Sequence, residues 1–320
     1  MTAARTLAGM DTDEDIRLGV LAPVGQAQWG AGADPRELVD FAVQAEELGY
    51  ASLWVNDGLL SPRIEALTML AAATPVTRTI TLGTAALMPV LRRPVQTAQA
   101  LASLDVLSGG RLVVTVGAGF PGAFGQPQYR LSQVPWERRF TRLEETVALW
   151  RQLWAGPEPT SFHGELLSFD ELPPIWLGAA SPAALERVGR RYDGWLPYPP
   201  APETYRDGLA AVRRAAAGAG RRAEDITPAL FVSVVVTDSA ERGRELLDTF
   251  SRASYGLPLT QLETIQALAA GPPELVAERL RGYVAAGARH LAVRIATTSL
   301  ASQREQLEQI IKLRPLLTGA

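Results

Sequence analysis

The stretch ITLGTAALMPVLRRPVQTAQALASLDVLSGGRLVVTVGAGF, residues 80–120, decides the fold of this chain. It contains an apolar run over 79–87, a helical pattern over 93–107 that the small residues at 108–110 end, and a second apolar run over 112–119. Short apolar runs separated by a helix are typical of parallel strands joined by a crossover. The segment therefore predicts a strand–helix–strand unit of a parallel sheet.

The same alternation recurs along the rest of the chain. Eight apolar runs are predicted as strands, at 16–23, 51–57, 79–87, 112–119, 174–178, 194–198, 229–237 and 289–296. Eight parallel strands close into a (β/α)8 barrel, whereas the competing doubly wound open sheet more often has about five to seven. An open sheet also needs a glycine fingerprint after its first strand, and Gly25, Gly30 and Gly32 lack that spacing. We therefore predict an α/β fold, a TIM barrel.

The length of 320 residues permits two domains, but no composition break or long polar linker divides the chain. The extra length falls in three enlarged loops at 119–135, 156–173 and 252–271. Residues 1–15 end in an acidic run and lack the layout of a signal peptide. We predict a disordered N-terminal tail over 1–15 and a single barrel domain over 16–320.

Capping signals predict where two of the helices begin. Asp34-Pro35 predicts a helix over 34–49, with Asp34 as its N-cap. Ser61-Pro62 predicts that the next helix opens there and runs to about Ala73.

The composition excludes several kinds of chemistry. The chain has no cysteine, which excludes disulfides, thiolate zinc sites and iron–sulfur clusters. Its two histidines, His163 and His290, are too few for a multi-histidine metal centre, so we predict no metal site and chemistry carried by a bound cofactor. Thirty-one basic against 34 acidic residues leave no bulk positive charge for nucleic acid. No apolar run approaches the ~18 residues of a membrane span, so we expect a cytoplasmic protein.

Active sites of such barrels lie at the carboxyl ends of the strands. Asn56 and Asp57 end the second predicted strand and are the candidate catalytic residues, although Asp57 could equally form an Asx turn with Gly58. His290 begins the eighth strand, where a structural role is favoured, and His163 lies in a polar loop.

Three further features at the strand ends fit a planar cofactor with a phosphate. Gly117-Ala118-Gly119 would let a flat ring approach the backbone, unless a turn alone requires the glycines. Gly178-Ala179-Ala180-Ser181 leads into a helix whose first amides suit a phosphate, although Ser181 also fits an ordinary N-cap. Aromatic side chains at these ends could line a pocket or belong to the core: Trp54, Phe120, Phe124, Trp195 and Tyr198.

These residues resemble the luciferase-like flavin-dependent oxidoreductases, the family of bacterial luciferase and its deazaflavin-dependent relatives. The resemblance runs from Ile16 to about Leu313 and is densest over 80–120, with support from 137–154, 173–195 and 275–294. It implies a luciferase-like barrel that binds a flavin at its mouth and forms a homodimer.

The resemblance also implies particular site residues. In bacterial luciferase a non-proline cis peptide follows the third strand beside the flavin, and the matching bond here joins Ala85 and Ala86. The flavin phosphate would lie over Gly178 to Ser181. The chain departs from the family where Gly58 replaces a common histidine, and where Gly117 and Ala118 replace a cysteine and an arginine of luciferase.

Our leading hypothesis is a monooxygenase that receives reduced FMN from a separate reductase and uses oxygen to oxidise a small organic substrate. Within the same class, the alternative is hydride transfer with the deazaflavin coenzyme. From a different class, the loss of the histidine at Gly58 motivates a non-catalytic flavin-binding protein. A metal-dependent hydrolase would need clustered ligands that the sequence lacks.

Overall fold

The computed structural model describes residues 16–60, 62–120, 125–155 and 172–317. The predicted N-terminal tail, Ser61, Phe124 and His163 lie outside the described residues. None of the helices in these ranges is long and apolar enough to cross a bilayer.

The described strands form one parallel sheet that closes on itself. Its strands are β1 (Arg17–Leu21), β2 (Ser52–Val55), β3 (Thr81–Leu87), β4 (Leu112–Val116), β5 (Ile175–Leu177), β6 (Gly194–Trp195), β7 (Thr227–Val236), β8 (Leu268–Gly271) and β9 (His290–Ile295). Strands β1 to β6 pair in sequence order, β6 pairs with β7, β7 with β9, and β9 with β1. The predicted eight-stranded TIM barrel is therefore confirmed, and each predicted strand overlaps an observed one.

The strand β8 lies outside the ring, in a segment predicted as an enlarged loop. Strand β7 is ten residues long, and β6 pairs only with its first residues, at Thr227 and Pro228. Strand β8 pairs with its last residues, from Ser233 to Val236, on the edge that short β6 leaves open. Because the run is short and made of Leu, Ala and Gly, it lacks the β-branched and aromatic residues that predict a strand.

Helices surround the barrel. They are α1 (Glu37–Glu47), α2 (Ala66–Ala73), α3 (Pro94–Ser108), α4 (Gln126–Leu131), α5 (Arg139–Trp154), α6 (Pro182–Arg191), α7 (Pro202–Gly218), α8 (Ala240–Tyr255), α9 (Leu259–Leu262), α10 (Pro273–Ala285), α11 (Leu300–Ile311) and α12 (Arg314–Leu317). Helices α4 and α9 occupy two of the three predicted enlarged loops.

Both predicted helix starts are wrong by a few residues. Helix α1 begins at Glu37 because the Asp34 carboxylate accepts hydrogen bonds from the backbone and side chain of Arg36 instead of capping the helix. Helix α2 begins at Ala66, and Glu65 is its N-cap, with the backbone N–H of Thr68 2.8 Å from its carboxylate. The preceding residues stay extended because Arg63 pairs with Gly25 in an antiparallel bridge.

Large aromatic side chains fill the lower part of the barrel interior. The ring centroids of Trp54 and Trp176 are 5.1 Å apart, and His290 packs edge-on against both. A Cβ atom at Gly83 would lie 2.3 Å from the Trp54 ring, so only glycine fits beside that indole. The space left for a ligand therefore lies at the carboxyl ends of the strands, which we call the mouth of the barrel.

Burial explains the structural role of His290. Its Nε2 atom lies 2.7 Å from the Ser52 hydroxyl, which also accepts a hydrogen bond from the Trp54 indole. Burial, with a smaller contribution from the positive charge of Arg17, lowers the pKa of His290 from 6.5 to about 3. The imidazole is thus neutral at physiological pH and sits at the closed end of the barrel.

Candidate active site at the barrel mouth

The Asp57 carboxylate is the most constrained group at the mouth. Its Oδ1 accepts hydrogen bonds from the Gly58 backbone and from Arg92 Nη2, both at 2.9 Å. Its Oδ2 accepts from the Met88 backbone at 2.9 Å and from Arg92 Nη1 at 2.6 Å. The side chain is 2% exposed, so four donors occupy a carboxylate that solvent scarcely reaches. This arrangement ties the loop after β2 to the loop after β3. The Asx turn considered as the alternative is not formed, because Asp57 accepts from the next residue, Gly58, and the Leu59 N–H donates to the side chain of Gln128.

Arg92 extends this network to Glu65, whose Oε1 lies 2.7 Å from Arg92 Nη2. Burial alone would lower the pKa of Arg92, but the hydrogen bond and charge of Asp57 outweigh it and raise that pKa. Burial of Glu65 is likewise outweighed by Arg92 and by the N–H groups that Glu65 caps, so the pKa of Glu65 is lowered. Arg92 and Glu65 are therefore both held in their charged forms.

Asn56 differs from its neighbour. It is half-buried. Side chains alternate between the two faces of a strand, so Asn56 points to the same side as Trp54, two residues earlier, which faces the barrel interior. Asn56 therefore faces the barrel mouth. It forms no hydrogen bond with another side chain or backbone group in the described part of the chain. Of the two candidate catalytic residues, Asn56 is the one whose polar atoms remain available to a ligand.

Small residues from three neighbouring strand ends meet at one place. The Ala85–Ala86 peptide is cis, as the resemblance implies. A Cβ atom added at Gly117 would lie 3.4 Å from the Cβ of Ala86, and one at Gly178 would lie 3.6 Å from that atom. The predicted cofactor residues at the ends of β3, β4 and β5 are thus adjacent and leave a shallow floor without bulky side chains. We call Ala86, Gly117 and Gly178 the small-residue floor.

The remaining predicted cofactor residues border this floor. Ala118 is buried, and its carbonyl accepts a hydrogen bond from Tyr129 at 2.9 Å. Gly119 has φ +78°, a conformation that favours glycine, and a Cβ atom there would lie 3.1 Å from the Met88 sulfur. Both residues shape the turn after β4, and the positive φ of Gly119 fits the turn requirement considered above.

The turn into α6 is held in place from below. The Trp195 indole donates a hydrogen bond to the Ala179 carbonyl at 2.8 Å. Ser181 is the N-cap of α6, and its hydroxyl lies 3.4 Å from the backbone nitrogen of Ala184. Ala180 and Ser181 are exposed, so the start of this ten-residue helix is open to an anion. Phosphate binding here remains a prediction.

The position of the missing histidine is filled by a different side chain. A Cβ atom at Gly58 would lie 3.2 Å from Cζ and 3.3 Å from an Nη atom of Arg63. Burial, and then the positive charge of Arg294, lower the pKa of Arg63, while Asp57 opposes them. A guanidinium therefore stands beside the position at which the family resemblance implies a histidine.

No role was assigned from the sequence to Arg63, Arg92 or Arg294. Arg294 offered one signal, since it shares the inward phase of Ala292 on a strand that is otherwise apolar at that end. Arg63 and Arg92 lie outside the strands, and their guanidinium groups reach the mouth through long side chains. The positions of these arginines in the sequence do not predict where their guanidinium groups lie.

Of the aromatic candidates in the described residues, Phe120 and Tyr198 lie at the mouth, whereas Trp54 and Trp195 belong to the core. The rings of Phe120 and Tyr198 are in contact at 5.3 Å between centroids, and burial raises the pKa of Tyr198 to about 12. Trp54 fills the barrel interior, and Trp195 is buried and stacks on Tyr205.

Comparisons with known proteins agree with this geometry. The sequence profile described as luciferase-like monooxygenase matches residues 16–290. The chain belongs to this family. It is an enzyme, a luciferase-like oxidoreductase, and the resemblance noted from the sequence is confirmed.

Relatives indicate which cofactor to consider first. The chain is 31% identical to an F420-dependent glucose-6-phosphate dehydrogenase of Nakamurella multipartita, over 88% of this chain and 91% of that protein. Two solved structures share the fold. An F420-dependent secondary alcohol dehydrogenase with an F420–acetone adduct has TM-score 0.73 and 18% identity, with 95% of this chain and 99% of that one covered. A monooxygenase of Streptomyces bottropensis has TM-score 0.76 and 22% identity, with 93% and 98% covered. The named dehydrogenases support the deazaflavin alternative better than the leading FMN hypothesis.

Proposed function

We propose that this protein is an F420-dependent oxidoreductase that moves a hydride between a small organic substrate and the deazaflavin coenzyme. The observation that carries the proposal is the 31% identity with an F420-dependent dehydrogenase over almost the whole barrel. This reaction needs neither oxygen nor a separate flavin reductase, which the FMN hypothesis required. We also propose a homodimer, on the resemblance alone.

The small-residue floor fits a flat ring system. Because Ala86, Gly117 and Gly178 present no side chain beyond Cβ, a planar ring can lie against the backbone of three adjacent strand ends. When bound, the deazaflavin supplies a carbon that accepts or donates a hydride. The protein then has to bind the ring, orient the substrate above it and exclude water.

The network around Asp57 serves positioning. Its four hydrogen bonds fix the loops on which Gly58 and Met88 lie, beside the small-residue floor. Because each carboxylate oxygen already accepts two donors, Asp57 has little capacity left to take a proton from a substrate. Asn56, which faces the mouth, is the better placed group for a hydrogen bond to substrate or ring.

The proton of an alcohol substrate needs another acceptor. Relatives with a histidine after the aspartate would have an imidazole at that place, whereas here the Arg63 guanidinium is a permanent cation. We propose that the substrate proton leaves through water at the mouth and that Arg63 does not accept it.

Coenzyme binding tests the proposal directly. The purified protein is titrated with F420 and, separately, with FMN, and we expect F420 to bind at least about tenfold more tightly. A Gly117→Leu variant should lose F420 binding because its side chain fills the floor next to Ala86, whereas Gly218→Ala on helix α7 should bind as the parent does. Turnover is followed without oxygen by the loss of oxidised F420 in the presence of glucose 6-phosphate or a secondary alcohol.

Each contrary result has a distinct meaning. Tight FMN binding with substrate-dependent oxygen consumption would restore the monooxygenase hypothesis. Tight F420 binding without turnover of any alcohol would favour a non-catalytic coenzyme-binding protein. Binding of neither coenzyme would exclude both enzyme hypotheses.

A further inference from the structure

Two arginines approach the mouth from adjacent positions in the ring. Arg294 lies near the carboxyl end of β9, and β9 pairs with β1, which pairs with β2. Arg63 follows β2 and bridges to Gly25, which follows β1. The two side chains therefore converge over the β9–β1–β2 side of the barrel. In agreement, Arg294 is one of the charges that lower the pKa of Arg63, after burial.

Arg294 is a buried cation that faces the barrel interior. Its residue is 7% exposed and has the inward phase of Ala292. The guanidinium donates a hydrogen bond to the Tyr255 hydroxyl and lies 4.8 and 5.0 Å from the ring centroids of Phe250 and Tyr255. It forms no ion pair with a carboxylate in the described part of the chain. Burial of a charge without an opposite charge is costly, so a bound anion would stabilise this arrangement.

A second polar group points to the same place. Ser233 on β7 is the register partner of Arg294 on β9, and paired residues of parallel strands face the same side of the sheet. The Ser233 residue is fully buried, and its hydroxyl has no hydrogen-bond partner among the described residues. An unsatisfied buried hydroxyl beside a buried guanidinium fits an oxygen of a bound ligand.

This place is separate from the small-residue floor. Ala86, Gly117 and Gly178 belong to the ends of β3, β4 and β5, whereas Arg294 and Ser233 belong to β9 and β7. Aromatic side chains lie between the two sides: Phe120 contacts Tyr198, and Tyr198 lies 6.4 Å from Phe231 between centroids. An apolar body against these rings would place one end near the floor and the other near the arginines.

We propose that Arg63 and Arg294 bind an anionic group of the substrate, a carboxylate or a phosphate, with Ser233 as an additional hydrogen-bond donor. The inference rests on the proposed function, because it assigns the substrate of that same site. Guanidinium groups bind both anions through paired N–H donors, and the aromatic neighbours favour a substrate with an apolar or aromatic body.

Calorimetric titration of the F420-loaded protein tests the inference with two matched pairs of probes. The first pair is benzoate and its neutral counterpart benzamide, and the second is glucose 6-phosphate and glucose. We expect at least one anion to bind about tenfold or more tightly than its neutral counterpart. Preference for benzoate identifies a carboxylate on an aromatic body, and preference for glucose 6-phosphate identifies a phosphate.

Three variants assign the effect to the arginines. Arg294→Met and Arg63→Met should each weaken the preferred anion about tenfold or more, with the neutral probe and F420 within twofold of the parent. Arg242→Met removes an exposed guanidinium on helix α8 and should change nothing. If Arg294→Met does not fold, Arg63→Met alone tests the anion site, because Arg63 lies outside the strands and its replacement should not disturb the barrel.

The outcomes separate this inference from the proposed function. Equal binding of charged and neutral probes, or a preference that survives both arginine variants, would overturn the anion site. Weakened F420 binding in the arginine variants would also overturn it, because the pair would then hold the coenzyme. If the parent fails to bind F420, the proposed function fails, and the same anion titrations on the coenzyme-free protein still test the arginines.

Discussion

The guanidinium carbon of Arg63 lies 3.2 Å from the point at which a side chain of Gly58 would begin. Position 58, which carries no side chain, thus leaves room that the Arg63 guanidinium occupies. A fixed cation replaces a group that gains and loses a proton near neutral pH.

Restoring a histidine tests this relationship. Gly58→His alone should displace Arg63, because even the first side-chain atom would contact the guanidinium. In Gly58→His combined with Arg63→Ala, the imidazole has room, and we expect one additional histidine titration near pH 6.5. Histidine-labelled protein followed by NMR measures it, with Arg63→Ala alone as the control. A double variant without the additional titration would contradict this use of the space.

Removing the Asp57 charge should be far more damaging than removing that of Glu65. Asp57→Asn leaves the Arg92 guanidinium, 16% exposed, without its most buried partner and should cost about 3–5 kcal/mol of unfolding free energy. Glu65→Gln keeps an oxygen for the α2 cap and removes an ion pair whose carboxylate is 43% exposed, so about 1 kcal/mol or less is expected. Urea unfolding of both variants measures the difference, and equal losses would show that the four hydrogen bonds of Asp57 do not hold these loops.

The depressed pKa of His290 predicts a dependence of stability on pH. The unfolded chain binds a proton below its pKa of about 6.5, whereas the folded protein does not until the pH falls to about 3. The stability is therefore complete above pH 6.5 and declines as the pH falls towards 3, by about 2 kcal/mol at pH 5 from this residue alone.

Unfolding at pH 8 and pH 5 measures that decline, and His290→Gln should remove about 2 kcal/mol of it. Should the variant not fold, NMR of the parent provides the check, because the His290 ring must remain neutral at pH 5. A ring that takes up a proton at pH 6 would contradict the burial argument.

Two glycines offer a matched test of packing. A Cβ atom at Gly83 would lie 2.3 Å from the Trp54 ring, so Gly83→Ala should destabilise the barrel by about 3 kcal/mol. At the end of helix α7, Gly218 has no heavy atom within 4 Å of its would-be Cβ, so Gly218→Ala should stabilise by about 0.5–1 kcal/mol. Thermal unfolding of the two variants would show opposite shifts in Tm, and a tolerated Gly83→Ala would mean that the Trp54 indole can move.

The barrel was predictable because its strands are buried on both faces and read as apolar runs. The strand β8 escaped prediction because Leu268–Gly271 has small residues, and its pairing depends on the unequal lengths of β6 and β7. The start of α2 escaped because a bridge between Gly25 and Arg63, distant in sequence, keeps the preceding residues extended.

The site was predictable to the extent that strand ends define it. Ala86, Gly117 and Gly178 meet because parallel strands end at the same rim of a barrel, so local glycine and alanine patterns located them. The arginines were not located, because a long side chain places the guanidinium well away from its own backbone position. Which of them reaches Asp57, and which reaches Tyr255, depends on packing that spacing does not encode.

The paired indoles inside the barrel give the protein a spectroscopic signature of its own. Trp54 and Trp176 are 5.1 Å apart between centroids and inclined at 38°, so their electronic transitions should couple and produce a near-ultraviolet circular dichroism signal. Both rings lie below the mouth and are fully buried. Ligand binding at the mouth should leave this signal unchanged, whereas unfolding of the barrel should abolish it. The two events can therefore be distinguished in one sample without an added label.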